Sequence, residues 1–160
     1  MYASETERLD EANFRTRRDT TVDYVMKVLP PGGKVLDIGC GAAPVVSELR
    51  KRGVECLGIE YAPDMIKHAR QRLRSMDLAD DKLMRADCRA VPFADASFDA
   101  LTMGYALRHV ADLVGTFREY LRVLRPGGRV LIIEFAKPTN PLASGVLKLY
   151  LKHIVPGIAR

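Results

Sequence analysis

The feature of this sequence that most constrains its fold is a regular alternation of short apolar segments with longer amphipathic ones. The apolar segments have the length of buried strands, and the amphipathic segments repeat apolar residues at helical spacing. Strands are predicted at 34–38, 54–60, 82–87, 96–104 and 129–135. Helices are predicted at 21–29, 44–52, 63–76 and 112–124. Because strands joined by helices pair in parallel through right-handed crossovers, the pattern predicts a doubly wound, Rossmann-like α/β fold. We expect about five mostly parallel strands with helices on both faces.

The first predicted strand runs into the turn VLDIGCGAAP, residues 35–44, at the place where ligands bind in such a sheet. Its glycines, Gly39 and Gly41, let the backbone approach a ligand closely. A dinucleotide fingerprint needs a third glycine at position 44, where this chain has proline, and the carboxylate of Asp37 would repel a pyrophosphate. S-adenosylmethionine carries a positive ammonium and a positive sulfonium and has no phosphate. The turn therefore favours S-adenosylmethionine over NAD, and a nicotinamide oxidoreductase is the less favoured interpretation.

Four motifs resemble, in order, those of class I S-adenosylmethionine-dependent methyltransferases. They are VLDIGCG, GIEYAPDMI, RADCRAVPFADASFDALTMG and LRVLRPGGRVLIIEF, and together they cover roughly residues 33–138. More narrowly, GYALRHVADLVGTFREYLRVLRPGGRVLIIEFAKP is similar to the ubiquinone/menaquinone biosynthesis C-methyltransferase family. The resemblance implies methyl transfer from S-adenosylmethionine to a small, lipophilic acceptor, with a quinol carbon favoured.

The resemblance also implies a cofactor site at the ends of the first four strands. Asp37 would face the methionyl ammonium, and Asp87 would accept a hydrogen bond from the adenine amino group. Glu60 would accept from the ribose hydroxyls, and it ends the second strand 23 residues after Asp37, close to the spacing of about 20 expected for a ribose-binding acid. The predicted cofactor residues are Asp37, Gly39, Cys40, Gly41, Ala42, Glu60, Tyr61, Met65, Asp87, Cys88 and Gly104.

Some of these residues also have a plain structural interpretation. Asp37 would cap a tight turn, Met65 would be a core side chain, and Asp87 would be a solvated loop acid. Ala42 and Ala43 replace the usual Thr-Gly of the family's turn. A hydroxyl contact is thereby lost, and the backbone must accommodate a Cβ atom at position 43.

Two residues after the fourth predicted strand are candidates for the chemistry. His109 would remove the hydroxyl proton of a phenol or quinol, and Arg108 would stabilise the resulting oxyanion. The family has an asparagine where this chain has His109. The alternative is that His109 starts a helix and Arg108 is a surface charge.

Composition excludes several other classes. The 160-residue chain has a formal net charge of +5, and its basic residues are scattered over predicted helix surfaces, so nucleic-acid binding is not expected. Cys40, Cys56 and Cys88 lack a C-x-x-C motif, which favours reduced thiols. His68 and His153 have no partner at metal-ligand spacing, so no metal site is predicted. A charged N-terminal segment and the lack of a long apolar run indicate a cytoplasmic protein.

The end of the chain is expected to differ from the rest. Residues 1–138 are predicted to form the cofactor-binding domain, and 139–160 an apolar helical tail that begins a substrate-covering insert. Class I methyltransferases usually add a sixth and a seventh strand, which nothing after residue 138 supplies, so we expect a shortened chain. The fifth strand would then be an exposed edge that a second copy could cover. The apolar stretch 141–155, with its lysines, would suit peripheral contact with a membrane.

Two alternatives stand beside methylation of a quinol carbon. One is N- or O-methylation of another small molecule or lipid, because no residue fixes the acceptor atom. The other is a non-catalytic cofactor-binding module that works through a partner chain, which the absent final strands would favour.

Overall fold

A computed structural model describes residues 5–134 of the chain, with side chains from residue 15 onward except that of Arg108. Residues 14–134 form one compact unit. The predicted tail at 139–160, including the stretch at 141–155, lies outside the described residues. Within the described part, none of the helices combines the length and apolar character needed to cross a membrane.

Five parallel strands form one sheet in the order β3-β2-β1-β4-β5. They are β1 (Lys34–Ile38), β2 (Glu55–Glu60), β3 (Leu83–Arg85), β4 (Phe98–Gly104) and β5 (Leu124–Ile133). The chain builds outward from β1 to β3 and then returns to place β4 on the other side of β1. This order confirms the predicted doubly wound sheet, and the reversal puts a crevice at the carboxyl ends of β1 and β4.

Helices cover both faces of the sheet. They are α1 (Glu5–Val28), α2 (Pro44–Lys51), α3 (Pro63–Arg74) and α4 (Leu113–Val123), with a short 3-10 helix at Leu107–His109. Val22 of α1 belongs to the same buried cluster as residues of α2 and α3, together with Val35 of β1. Tyr120 of α4 packs in the second cluster with Leu36. Because side chains alternate along a strand, Asp37 lies on the face of Val35, toward α1.

The structure differs from the sequence prediction at two elements. The helix predicted at 21–29 is the end of a longer helix that begins at Glu5. Residues 5–20 are so highly charged that no apolar stripe indicates a helix there. Strand β5 begins at Leu124 rather than at 129. Leu124 pairs with Phe98 and Arg129 with Ala100, so the RPGG segment at 125–128, which the prediction left between helix and strand, is an irregularity within the strand.

A close packing contact holds the turn after β1 against β2. Gly58 of β2 has no room for a side chain. A Cβ atom there would lie 2.8 Å from Leu83 Cδ2, 3.0 Å from Cys40 Sγ and 3.1 Å from Val46 Cγ2. The absence of a side chain at Gly58 therefore lets the Cys40 thiol and helix α2 settle directly onto the sheet, which fixes the position of the turn.

We expect the substitution Gly58→Ala to lower the free energy of unfolding by about 1–3 kcal/mol, because the added methyl overpacks this contact. Urea denaturation followed by circular dichroism would measure the change. Leu121→Ala is the control: Leu121 is 69% exposed on α4, so its truncation should change stability by about 0.5 kcal/mol or less. Equal effects of the two substitutions would contradict the packing argument.

Candidate functional site

The turn after β1 consists largely of left-handed backbone. Gly39 has φ 66° and Gly41 has φ 55°. The N–H of Cys40 donates to the carbonyl of Ile59 at 2.9 Å, which joins the turn to β2. Ala43, just before α2, also has a positive φ of 58° although it carries a Cβ atom. The backbone thus accommodates alanine at this position, at a cost of about 1–2 kcal/mol relative to glycine.

The carboxylate of Glu60 connects the turn after β1 with the turn after β2. The N–H of Gly41 donates to Glu60 Oε2 at 3.0 Å, and the N–H of Ala62 donates to Glu60 Oε1 at 2.9 Å. A carboxylate oxygen can accept more than one hydrogen bond. Glu60 is therefore held in a fixed orientation and keeps acceptor capacity toward a ligand.

Asp37 is an acid enclosed by protein. It is 5% exposed, and the hydroxyl of Thr102, its neighbour on β4, donates to Asp37 Oδ1 at 2.7 Å. Burial raises the pKa of Asp37 to about 7, and the charge of Glu60 adds to the rise. The Thr102 hydrogen bond and the charge of Arg17 act in the opposite direction. A ligand cation brought beside Asp37 would favour its ionised form, because opposite charges lower the pKa of a carboxyl group.

A cleft of about 710 Å³ opens at the carboxyl ends of the strands. Its volume is typical of a small-molecule site. The cleft brings together eight residues predicted from the sequence. They are Gly39, Glu60, Tyr61, Met65, Asp87, Cys88, Gly104 and His109. Met65 is 37% exposed here and is not a core side chain.

A narrow pocket beside the cleft contains two more of the predicted residues. Asp37 and Cys40 line it, and the pocket shares Gly39 and Gly104 with the cleft. The Cys40 thiol is buried, and burial raises its pKa, so it is a packing residue in the neutral form. The predicted residues Gly41 and Ala42 do not line either space. Gly41 nevertheless reaches the site through its bond to Glu60.

Several residues of the site were not predicted from the sequence. The cleft also includes Ala62, Ala86, Arg89, Tyr105 and Ala106, and the narrow pocket includes Arg17, Thr21 and Thr102. Tyr105 and Ala106 directly follow Gly104, so adjacency to a predicted residue was a usable signal. No sequence signal pointed to Arg17, because it comes from the charged part of α1.

Asp87 is partly exposed and forms an ion pair within its own loop. Arg89 Nη2 lies 2.6 Å from Asp87 Oδ2, and the backbone N–H of Arg89 donates to Oδ1 at 2.9 Å. These bonds hold the pKa of Asp87 down to about 2. An adenine amino group would therefore have to share the Asp87 oxygens with Arg89.

The candidates for acid–base chemistry lie between β4 and α4. Arg108 and His109 belong to the short 3-10 helix Leu107–His109, and the exposed His109 lines the cleft. Helix α4 begins at Leu113, with Asp112 as its cap, so His109 is not a residue that starts this helix. The position of His109 at the cleft is compatible with contact to a bound acceptor.

The donor set fits a nucleoside with a charged amino-acid end. Glu60 offers acceptors for a diol, Met65 offers an apolar surface for a base, and Asp37 offers a buried carboxyl for a cation. Among the residues that the structure describes, no cluster of His, Cys, Asp or Glu could hold a metal ion. The three cysteines are free thiols. Fold and donor set together define the class of S-adenosylmethionine-dependent methyltransferases.

Comparison with known proteins identifies the family. The model of the ubiE/COQ5 methyltransferase family matches residues 12–160, and the chain belongs to that family. A demethylmenaquinone methyltransferase of Mycobacterium sp. (strain JLS) is 39% identical over 130 residues, which are 81% of this chain and 54% of the relative. The chain spans about half the length of the curated relatives it matches. The predicted family resemblance is confirmed.

Solved structures agree on the fold. The YcgJ protein from Bacillus subtilis has a TM-score of 0.72 at 24% identity and covers 86% of this chain and 58% of its own. A SAM-dependent methyltransferase from Aquifex aeolicus has a TM-score of 0.63 at 20% identity, and the match covers 75% of this chain and 66% of the Aquifex chain. The family itself supports S-adenosylmethionine as the predicted cofactor.

We expect Asp37→Asn to remove a pH dependence of stability. The unfolded carboxyl ionises near its ordinary value of 3.8, whereas the folded one keeps its proton until about pH 7. The wild-type free energy of unfolding should therefore fall by about 4 kcal/mol as the pH rises from 4 to 8 through this group alone. Asparagine can still accept from Thr102, so the variant should be the more stable protein at pH 8.

Urea denaturation at a series of pH values would measure this difference. The exposed Asp81 gives the matched control, and Asp81→Asn should follow the wild-type profile. Parallel profiles for Asp37→Asn and the wild type would contradict the argument.

Proposed function

We propose that this chain binds S-adenosylmethionine and transfers its methyl group to a quinol carbon. The observation that carries the proposal is the orientation of Glu60. Two backbone N–H groups hold its carboxylate at the edge of a cleft into which four strands end. The names of the relatives, which are demethylmenaquinone methyltransferases, support the quinol as acceptor.

The cofactor would lie along the carboxyl ends of the strands. Glu60 accepts hydrogen bonds from the ribose hydroxyls, and Asp37 attracts the methionyl ammonium, directly or through water. Met65 lies against the adenine, whose amino group bonds to Asp87 beside Arg89. Gly39 and Gly104 lie on either side of the methionine end, where they border both the cleft and the narrow pocket.

When bound, S-adenosylmethionine supplies an electrophilic methyl group that is already activated by its sulfonium. The chain has to hold the acceptor in line with that group and exclude water, and proximity and orientation can contribute about 7–11 kcal/mol. His109 removes the hydroxyl proton of the quinol and thereby makes the ring carbon nucleophilic. After the methyl group is attached, the proton on the same ring carbon is lost to solvent and the ring regains its aromaticity. Arg108 stabilises the oxyanion that results.

The acceptor is the small-molecule partner of this proposal, and a lipophilic quinol resides in a membrane. We therefore extend the proposal to a peripheral membrane contact through 141–155. We also propose that a second copy of the chain covers the edge of β5. In this arrangement residues 1–138 bind the cofactor and 139–160 begin the cover over the acceptor.

We expect Glu60→Gln to weaken binding of S-adenosylhomocysteine by about tenfold or more. Both Glu60 oxygens accept from backbone N–H groups, so an amide would direct a donor at one of them and would also lose the charge that strengthens a bond to ribose. Calorimetric titration with S-adenosylhomocysteine, and with NADH in parallel, would measure this. Glu55→Gln on the exposed start of β2 is the control and should bind as the wild type does. NADH binding without adenosyl binding would contradict the proposal.

We expect His109→Gln to lower the rate of methyl transfer by about 10²–10⁴-fold, because the general base is lost. S-adenosylhomocysteine affinity should stay within about twofold, since His109 is not proposed to hold the cofactor. The assay is transfer of labelled methyl from S-adenosylmethionine to a demethylmenaquinol. His68→Gln, on the exposed side of α3, is the control. Unchanged turnover in His109→Gln would exclude His109 as the base, and no transfer by the wild type would exclude this acceptor.

A further inference from the structure

Arg17 of helix α1 borders the site at the point where β1 and β4 separate. It lines the narrow pocket with Asp37, Thr21 and Thr102, and this pocket shares Gly39 and Gly104 with the main cleft. The sequence motifs gave no reason to place a residue of α1 there. None of the roles proposed above for the cofactor or the acceptor uses this guanidinium.

The side chain of Arg17 runs along the backbone of Gly104. A Cβ atom at Gly104 would lie 3.3 Å from Arg17 Cδ and 3.4 Å from Nη1. The guanidinium carbon is also 5.1 Å from the centre of the Tyr105 ring. Gly104 and Tyr105 therefore form a surface on which the Arg17 side chain rests beside the cleft.

The neighbour of Arg17 across the pocket is an acid of opposite charge. Asp37 lies at the end of β1 on the face toward α1, and the charge of Arg17 lowers its pKa against the effect of burial. An acid and a base that border one pocket complement a ligand group that carries both charges. The amino-acid end of a nucleoside cofactor is such a group, because it has an ammonium and a carboxylate on one carbon.

We propose that Arg17 binds the carboxylate of the cofactor's amino-acid end while Asp37 binds its ammonium. A guanidinium suits this task because its fixed fork of N–H donors matches the two oxygens of a carboxylate. The inference rests on the proposed function, since it names a further residue of the same cofactor site. The narrow pocket has a volume of only about 10 Å³, so the Arg17 side chain has to move on its Gly104 surface to admit the carboxylate.

Two ligands separate this role from a general effect on the site. S-adenosylhomocysteine carries both charges, whereas its decarboxylated analogue S-adenosyl-3-thiopropylamine keeps the ammonium and lacks the carboxylate. Calorimetric titration of the wild type, Arg17→Ala and Arg17→Lys with both ligands gives the selectivity for the carboxylate in each protein. Arg18→Ala is the matched control, because it removes the same charge from the next residue of α1, which pairs with Asp19.

We expect Arg17→Ala to weaken S-adenosylhomocysteine binding by about tenfold or more and to change binding of the decarboxylated analogue by less than about threefold. Arg17→Lys should recover part of the loss, and Arg18→Ala should bind both ligands as the wild type does. Because the two titrations use the same folded variant, their ratio is insensitive to a change in stability.

Equal losses for both ligands, or no loss for either, would overturn the role of Arg17 and leave the proposed function standing. Failure of the wild type to bind S-adenosylhomocysteine would overturn the proposed function and this inference with it.

Discussion

The site depends on the carboxylate of Glu60. One of its oxygens accepts from the turn after β1 and the other from the turn after β2, so a single side chain fixes the relative position of two loops. Gly58, two residues earlier on the same strand, makes this possible, since it lets Cys40 of the first turn lie against the strand. Close packing at Gly58 and hydrogen bonding by Glu60 thus both hold the turn after β1 in place.

The second constraint is the burial of Asp37, which disfavours ionisation of its carboxyl group when no ligand is bound. A carboxyl group enclosed in this way is more stable in its neutral form at pH 6, although one hydroxyl donates to it. Ionisation costs the folded protein stability that a bound cation would restore. Such an arrangement exchanges stability of the ligand-free chain for attraction to a positive ligand, a pattern that is common at functional sites.

The sequence was sufficient where the determinants are local. Residues that end a strand or directly follow one, such as Gly39, Glu60 and Gly104, were found because the carboxyl ends of parallel strands meet at one edge. It was insufficient where a contact depends on packing over distance. Arg17 enters from a helix whose charged residues give no apolar periodicity. The pairing of Leu124 with Phe98 extends β5 across residues 125–128, which lie outside the predicted strand. The Asp87–Arg89 pair was missed for another reason, since a side-chain ion pair two residues apart leaves no pattern.

Backbone strain marks the two loops between which the ligand would lie. Ala43 at φ 58° and Tyr105 at φ 57° both adopt a conformation that costs a residue with a Cβ atom about 1–2 kcal/mol. The surroundings compensate for it differently. Ala43 is fully buried at the start of α2, and the N–H of Tyr105 donates to Ile133 of β5 at 2.9 Å. The conformation of Tyr105 places its ring against the Arg17 guanidinium, so strain at the end of β4 helps to position a charge that comes from another part of the chain.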